Sequence, residues 1–302
     1  YYFAPAAEPL HEIITDFQRD FQHTIGKNHA KYFDNEGWSY FTKEVFDLLY
    51  PGYGDTYPMY HGAIGMTYEQ GGSGRAGLSI QNEIGDYLTL SDRISHHYTT
   101  GLSTVETAHK NSALLNSEFK KYFTKKKAKY ATYVMEGEPE KLAGLRKLLD
   151  THHIPYSSPK IKTSIKGWDY VKQKNTTHTF DTGALVLDGN GKRSRLIQAL
   201  FEPNAKLSDS VTYDITSWSL PYAYGLKAMA SQQSFKNTVP FKEDTNKTNT
   251  SSKAYAYAAA WRSFEDGKFL AALLKEKIRV RYNLKPIQNG GQRWAEGSVF
   301  IL

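Results

Sequence analysis

A carboxylate that works as a general base needs a fixed backbone beneath it and open space in front of it. Glu69 has the local sequence for both. It closes the run Gly62-Ala-Ile-Gly-Met-Thr-Tyr-Glu69, which reads as a short strand over Ile64 to Glu69, and Gln70-Gly-Gly-Ser-Gly-Arg75 follows at once. An acid at a strand end beside a flexible loop is how a catalytic rim is built. Tyr50, Tyr53, Asp55, Tyr57, Tyr60, His61 and Tyr68 all precede it within twenty residues, more polar and aromatic groups than a bare turn needs. Arg75 could meet an anionic substrate group, since guanidinium binds carboxylate bidentately. The bland readings stay open beside these: Glu69 and Arg75 as solvated surface charges, Asp55 as the cap of its own turn.

Metal chemistry finds little support in the residue types. The chain has no cysteine, which removes thiolate sites, disulfides and cysteine nucleophiles together. His96-His97 are adjacent on an expected helix and point to different sides, and His152-His153 fall in an expected loop. Neither pair has a carboxylate at ligand spacing, so these histidines read as surface groups. No metal ligand is assigned.

The elements that must position Glu69 follow from periodicity. Leu10, Ile13, Ile14, Phe17, Phe21 and Ile25 recur at helical spacing, which predicts a helix from Glu8 to Lys31 with Pro9 in its first turn. A second helix is expected over Thr42 to Leu49, stopped by Tyr50-Pro-Gly-Tyr-Gly-Asp55. After the glycine loop, Ser91 is expected to cap a helix reaching about Phe123, with Ile94, Tyr98, Leu102, Val105, Leu115 and Phe119 in step. The lysines from Lys120 to Lys127 suit its negative end.

Beyond a boundary placed near residue 127, strand and helix alternate. Tyr130 to Met135, Thr182 to Leu187, Ala254 to Ala260 and Ile278 to Leu284 read as strands; Pro139 to Asp150, Arg193 to Phe201 and Phe264 to Glu276 read as helices. That order implies an α/β fold. The Ser-, Thr-, Asn- and Lys-rich segment 231–252 reads as a linker or lid, which divides the chain into 1–127, 128–230, 231–252 and 253–302.

The segment Tyr53-Gly-Asp-Thr-Tyr-Pro-Met-Tyr-His-Gly-Ala-Ile-Gly-Met-Thr-Tyr-Glu69 resembles the last catalytic segment of zinc carboxypeptidases of the carboxypeptidase A type. There a tyrosine-bearing loop leads to an Asp turn and then to a strand ending in an aromatic-Glu pair, with the spacing of Asp55 to Glu69. Gly65-Met-Thr-Tyr-Glu-Gln70 is most similar to a large bacterial subgroup. The resemblance implies that Glu69 is the general base, that Tyr53 is the mobile substrate-pocket tyrosine, with Tyr50 an alternative, and that Asp55 forms the pocket. It also implies zinc in the intact parent protein, held by an H-x-x-E pair and a later His that fall upstream of Tyr1; no cofactor is expected in this chain alone.

Leu200-Phe-Glu-Pro203 and Tyr213-Asp-Ile-Thr-Ser-Trp-Ser-Leu-Pro221 are similar to the segment that joins the peptidase to a glutamine-amidotransferase-like domain in that subgroup. The expected architecture is therefore the C-terminal portion of a carboxypeptidase α/β domain, then a linking α/β region, then the start of the amidotransferase-like domain from residue 253. The implied substrate is a peptide or peptidoglycan-type chain, the implied partner is the missing N-terminal part of the peptidase, and the implied location is periplasmic or secreted. A non-catalytic peptide- or glycan-binding module is the alternative.

Bulk properties agree with a multi-part globular chain. At 302 residues it exceeds what one hydrophobic core usually serves. A net charge of +7 is spread along the sequence apart from the short cluster Lys120-Lys121 and Lys125-Lys126-Lys127, with no nucleic-acid recognition motif, so no nucleic-acid partner is expected. No apolar run is long enough to span a bilayer. Tyr1 is not an initiator Met and Gly297 to Leu302 is strand-like, so both ends are expected to continue into a longer protein.

Overall fold

The structure, a computed structural model, describes residues 1–72, 77–82, 85–124, 127–207, 212, 218–242, 254–289 and 291–301. The fold is mixed α/β and divides into two compact units. The first comprises Tyr1–Tyr133, Asp188–Ala223 and Ala230–Ser234; the second comprises Val134–Leu187, Tyr224–Met229 and Phe235–Leu302.

Thr15 decides where the first helix begins. Residues Ala7–Leu10 form a strand (β1), and α1 runs Asp16–Glu36. The Thr15 hydroxyl accepts the Gln18 N–H while Gln18 Oε1 accepts the Thr15 N–H, a capping box that satisfies two orphan donors. The expectation of a helix from Glu8 is corrected by this box, which starts α1 eight residues later. Gly37, at φ 68, closes it in the left-handed conformation that glycine adopts without strain.

The expected helix over Thr42 to Leu49 is absent. Lys43 and Val45 both have positive φ, 61 and 64 degrees, which no right-handed helix tolerates. The chain instead enters a two-residue strand, β2 (Asp47–Leu48), paired parallel to β1. A single turn follows, α2 (Thr56–Met59), then a hairpin, β3 (Ser79–Gln81) with β4 (Tyr87–Thr89). The long helix expected from Ser91 is two helices, α3 (Leu90–Lys110) and α4 (Ser112–Tyr122), meeting at Asn111, and its cap is Thr89.

The chain segment 188–223 is tied into the first unit by buried charge. Glu202 is 2% exposed and lies 2.9 Å from His11 Nε2, itself wholly buried, and 3.2 Å from Lys129 Nζ. Arg195 Nη1 donates to Ile13 O at 2.9 Å, and within the segment Trp218 Nε1 donates to Ala199 O at 2.7 Å.

The second unit centres on Val134, Ile165, Phe180, Ala184, Val186 and Met229. After β5 (Thr132–Glu136) comes α5 (Pro139–Thr151), which buries Leu142, Leu145 and Leu149, spaced one turn apart. Then follow β6 (Tyr156–Pro159), β7 (Thr163–Asp169), β8 (Lys174–Phe180) and β9 (Leu185–Asp188). Helices α6 (Ser194–Phe201) and α7 (Leu220–Ala223), which belong to the first unit, precede β10 (Lys227–Ser231) and β11 (Thr238–Pro240) along the chain. The strand order is β11-β6-β9-β5-β10-β7-β8, with antiparallel pairing at β11-β6, β6-β9 and β7-β8. Part of the expected linker is thus a strand, and residues 243–253 lie outside the described residues.

The remaining elements are β12 (Tyr257–Ala259), α8 (Phe264–Lys275), β13 (Val280–Tyr282), β14 (Ile287–Asn289), β15 (Gln292–Trp294) and β16 (Val299–Ile301). Strand β16 lies between β12 and β13, and β14 pairs with β15. Among the described residues no helix is long and apolar enough to cross a membrane.

Gly26 shows how tightly α1 is seated. A Cβ there would stand 2.2 Å from the Ala4 carbonyl oxygen, a backbone atom that cannot swing aside. Although alanine is the better helix former by about 1 kcal/mol, Gly26→Ala is expected to destabilise the protein by about 1–3 kcal/mol. A urea titration checks this, and an unchanged or raised midpoint would contradict the close approach.

Candidate active site around Glu69

Glu69 does not sit in a ladder. The expected strand from Ile64 to Glu69 is reduced to one antiparallel bridge with Tyr2, whose N–H donates to Glu69 O at 2.8 Å and whose carbonyl accepts the Glu69 N–H at 3.1 Å. Tyr2 in turn bridges Phe41 in parallel. It is 1% exposed, with its ring against Phe41 and Phe46. The Glu69 backbone is therefore fixed to a buried residue while its side chain is exposed.

Helix α1 supplies the rest of the fixation. Gln18, Gln22 and His29 fall on its buried stripe with Phe21, Ile25 and Phe33. Gln18 Nε2 donates to Met59 O at 2.9 Å and Ala63 O at 2.8 Å, and Gln22 Nε2 donates to Gly65 O at 2.7 Å. His29 Nε2 lies 2.9 Å from the Tyr68 hydroxyl and His29 Nδ1 lies 2.8 Å from Ser103 Oγ on α3. The Tyr68 hydroxyl also meets Thr104 Oγ1 at 2.6 Å. Met59 O, Ala63 O, Gly65 O and the Tyr68 hydroxyl, which would otherwise go unsatisfied, thus each find a partner on α1 or α3.

The network continues outward from Ser103. Asn28 Nδ2 donates to Ser103 Oγ and to Glu106 Oε2, at 2.7 and 2.9 Å, and Tyr32 donates to the same carboxylate. These bonds, with that from Lys110, hold the Glu106 carboxyl down to about 2. Burial holds the His29 imidazole neutral, down to about 4.

On the other side of Glu69, His96 Nδ1 donates to Gln70 Oε1 at 2.6 Å. His96 is 6% exposed and ringed by Trp38, Phe33 and Tyr1, which corrects its reading as a surface histidine. His97 is exposed, yet its Nδ1 lies 2.6 Å from the Tyr1 hydroxyl. Burial pushes that phenol up to about 12, with the Tyr68 and Glu69 charges adding to the effect against the Thr100 hydrogen bond. Tyr68, Glu69 and Gln70 are thus each held by a different partner.

Asp55 is tied to the same segment. Its carboxylate accepts hydrogen bonds from Thr67 and from Thr56, and a Cβ at Gly65 would stand 1.7 Å from the Asp55 carbonyl oxygen. It makes no side-chain cap to the α2 backbone; one partner, Thr56, belongs to its own turn and the other, Thr67, to the Glu69 segment. Tyr53 is half-buried with its ring edge-on to Tyr50 at 5.2 Å. Arg75 lies outside the described residues.

Gln18, Gln22, His29, Tyr1 and His96 were not singled out as site residues from sequence. The signal that could have found the first three is the recurrence of polar groups at positions 18, 22 and 29 on a face otherwise made of Phe and Ile. The described residues gather no three of His, Asp or Glu in a set able to hold a metal ion. They do not, by themselves, fit the zinc that the carboxypeptidase resemblance implies. Compared with protein families, curated proteins and solved structures, the chain matches none of them.

The buried imidazole makes stability depend on pH. An unfolded histidine titrates near 6.5 and His29 in the fold near 4, so between those values the unfolded chain binds the additional proton. Its neutral burial costs nothing above pH 6.5 and progressively more as pH falls, to a ceiling of about 3 kcal/mol below pH 4. The urea midpoint should fall from pH 6.5 to pH 4, and His29→Gln should lose part of that slope; equal slopes in both proteins would contradict the assignment.

Proposed function

We propose that this chain carries the general-base portion of a peptide hydrolase of the zinc-carboxypeptidase type, with Glu69 as the base. The observation that carries the reading is the pairing of a fixed backbone with an open carboxylate: Tyr2 holds the Glu69 main chain from both N–H and C=O while the side chain is exposed. In such a reaction the carboxylate takes a proton from the attacking water and returns it to the departing amine. Asp55, tied to Thr67 two residues before Glu69, shapes the rim, and Tyr53 on the loop before α2 is the candidate substrate contact.

The substrate class that suits this reading is a peptide or a peptidoglycan-type stem, and the setting is an exported bacterial protein. Zinc belongs to the proposed intact enzyme; the described residues of this chain do not gather its ligands, so the role assigned here is confined to proton transfer and positioning. On this reading the chain needs the metal-binding part of a peptidase to turn over.

A non-catalytic peptide- or glycan-binding module is the second reading. It is favoured by a cavity of about 370 Å³ in the second unit, lined by residues including Pro139, Arg146, Phe241 and Lys242, with the Arg146 guanidinium 4.6 Å from the centre of the Phe241 ring.

Hydrolysis of a peptide with a free carboxy terminus by the full-length protein supplied with zinc separates the two. Glu69→Gln is expected to lower kcat by about a hundredfold or more with little change in KM. Full retained turnover would overturn the assignment of the base.

A further inference from the structure

A concentration of unpaired charge among the described residues lies far in sequence from Glu69. From Lys275 to Gly297 there are six cations, Lys275, Lys277, Arg279, Arg281, Lys285 and Arg293, against two carboxylates, Glu276 and Glu296. All six are exposed, and none forms an ion pair with a described residue. Large apolar side chains are exposed among them: Leu274, Ile278, Tyr282, Leu284 and Ile287, with Leu284 at 77% and Tyr282 at 69%.

The two most exposed of these flank a rigid corner. Asn283 is 7% exposed; its Nδ2 donates to Lys285 O at 2.7 Å and to Ala295 O at 2.9 Å. Its carbonyl accepts the Gly297 N–H at 2.9 Å and its own N–H reaches Ser298 O at 3.3 Å. One buried amide therefore staples the turn after β13 to the segment before β16. Tyr282 and Leu284 are held out in water on either side of that staple. β13 is the outer strand of its sheet, beyond β16, so side chains from both its faces reach the rim. Lys277 adds to the effect: at φ 57 it occupies the left-handed position that ends α8, with its N–H on Leu274 O.

We propose that this corner binds an anionic lipid surface, with Leu284 and Tyr282 entering the interface and the surrounding lysines and arginines meeting acidic headgroups. Two features select a lipid surface over a soluble polyanion. A nucleic acid or acidic glycan is held by cations and rewards no aliphatic side chain kept three-quarters exposed, whereas hydrocarbon does. A tyrosine at the edge of such a patch suits the headgroup level, where its ring and hydroxyl face different media. Attachment of this kind lays the protein on a bilayer and needs no spanning helix.

The test is co-sedimentation of the full chain with vesicles of phosphatidylcholine alone or mixed with phosphatidylglycerol. The proposal expects at least tenfold stronger partition, on the order of that from several cations, onto the acidic vesicles, weakening as salt is raised. Arg281→Gln should lower it about fivefold. Leu284→Ser, a substitution at a largely exposed position that leaves the Asn283 staple in place, should lower it by roughly tenfold. Unchanged circular dichroism in both variants shows that the fold is retained. Absent or equal partition onto the two vesicle types overturns the proposal. So does acidic-vesicle binding that Leu284→Ser leaves untouched, and capture of the chain by heparin or single-stranded DNA in preference to vesicles would then assign the patch to a soluble polyanion.

Discussion

The row of polar side chains on the buried face of α1 is the interaction on which the site depends. Gln18, Gln22 and His29 are each at most 1% exposed, and a buried amide or imidazole is tolerated only where its hydrogen bonds are made. Here they are made to the loop that ends in Glu69, not to another helix alone. Loss of one partner would strand the other, at about 1–3 kcal/mol each. The loop from Met59 to Tyr68, which has no ladder of its own, thereby acquires a defined path, and the exposed carboxylate at its end a defined position.

The same constraint explains the orientation of α3. Its inward face carries His96, Thr100, Ser103 and Thr107, all buried, because these meet Tyr1, His29 and Gln70 and close their own backbone bonds. Its regular apolar stripe, Ile94, Tyr98, Leu102 and Val105, is exposed. A helix with a polar face turned inward is the reverse of the usual arrangement, and the hydrogen-bond network is its physical reason.

That reversal marks what periodicity can and cannot tell. The spacing of the stripe was legible and implied a helix, but spacing alone does not say which side faces in. Where a helix buries leucines in the ordinary way, as α5 does with Leu142, Leu145 and Leu149, the sequence reading and the structure coincide within a residue or two. The bounds of α6 and α8 coincide as closely, although α8 buries only Leu273. The reading fails where local chemistry overrules periodicity. Thr15 and Gln18 set the start of α1, and positive φ at Lys43 and Val45 breaks an otherwise plausible helix. In the site, Glu69 and Asp55 stood out by type and spacing, while their supports did not. Gln18, His29 and Tyr1 act through contacts with residues 39 to 99 positions away, which no local pattern encodes.

Amide hydrogen exchange at Tyr2 and Glu69 measures the central claim most directly, because both N–H groups belong to the single bridge that holds the carboxylate in place. If the α1 row holds this segment, both amides are protected in the native protein, and Gln22→Ala or His29→Ala accelerates their exchange while leaving the helix amides of α5 unchanged. If the Glu69 amide of the native protein exchanges as freely as that of Gly71, the segment is not held, and the account of the site is wrong.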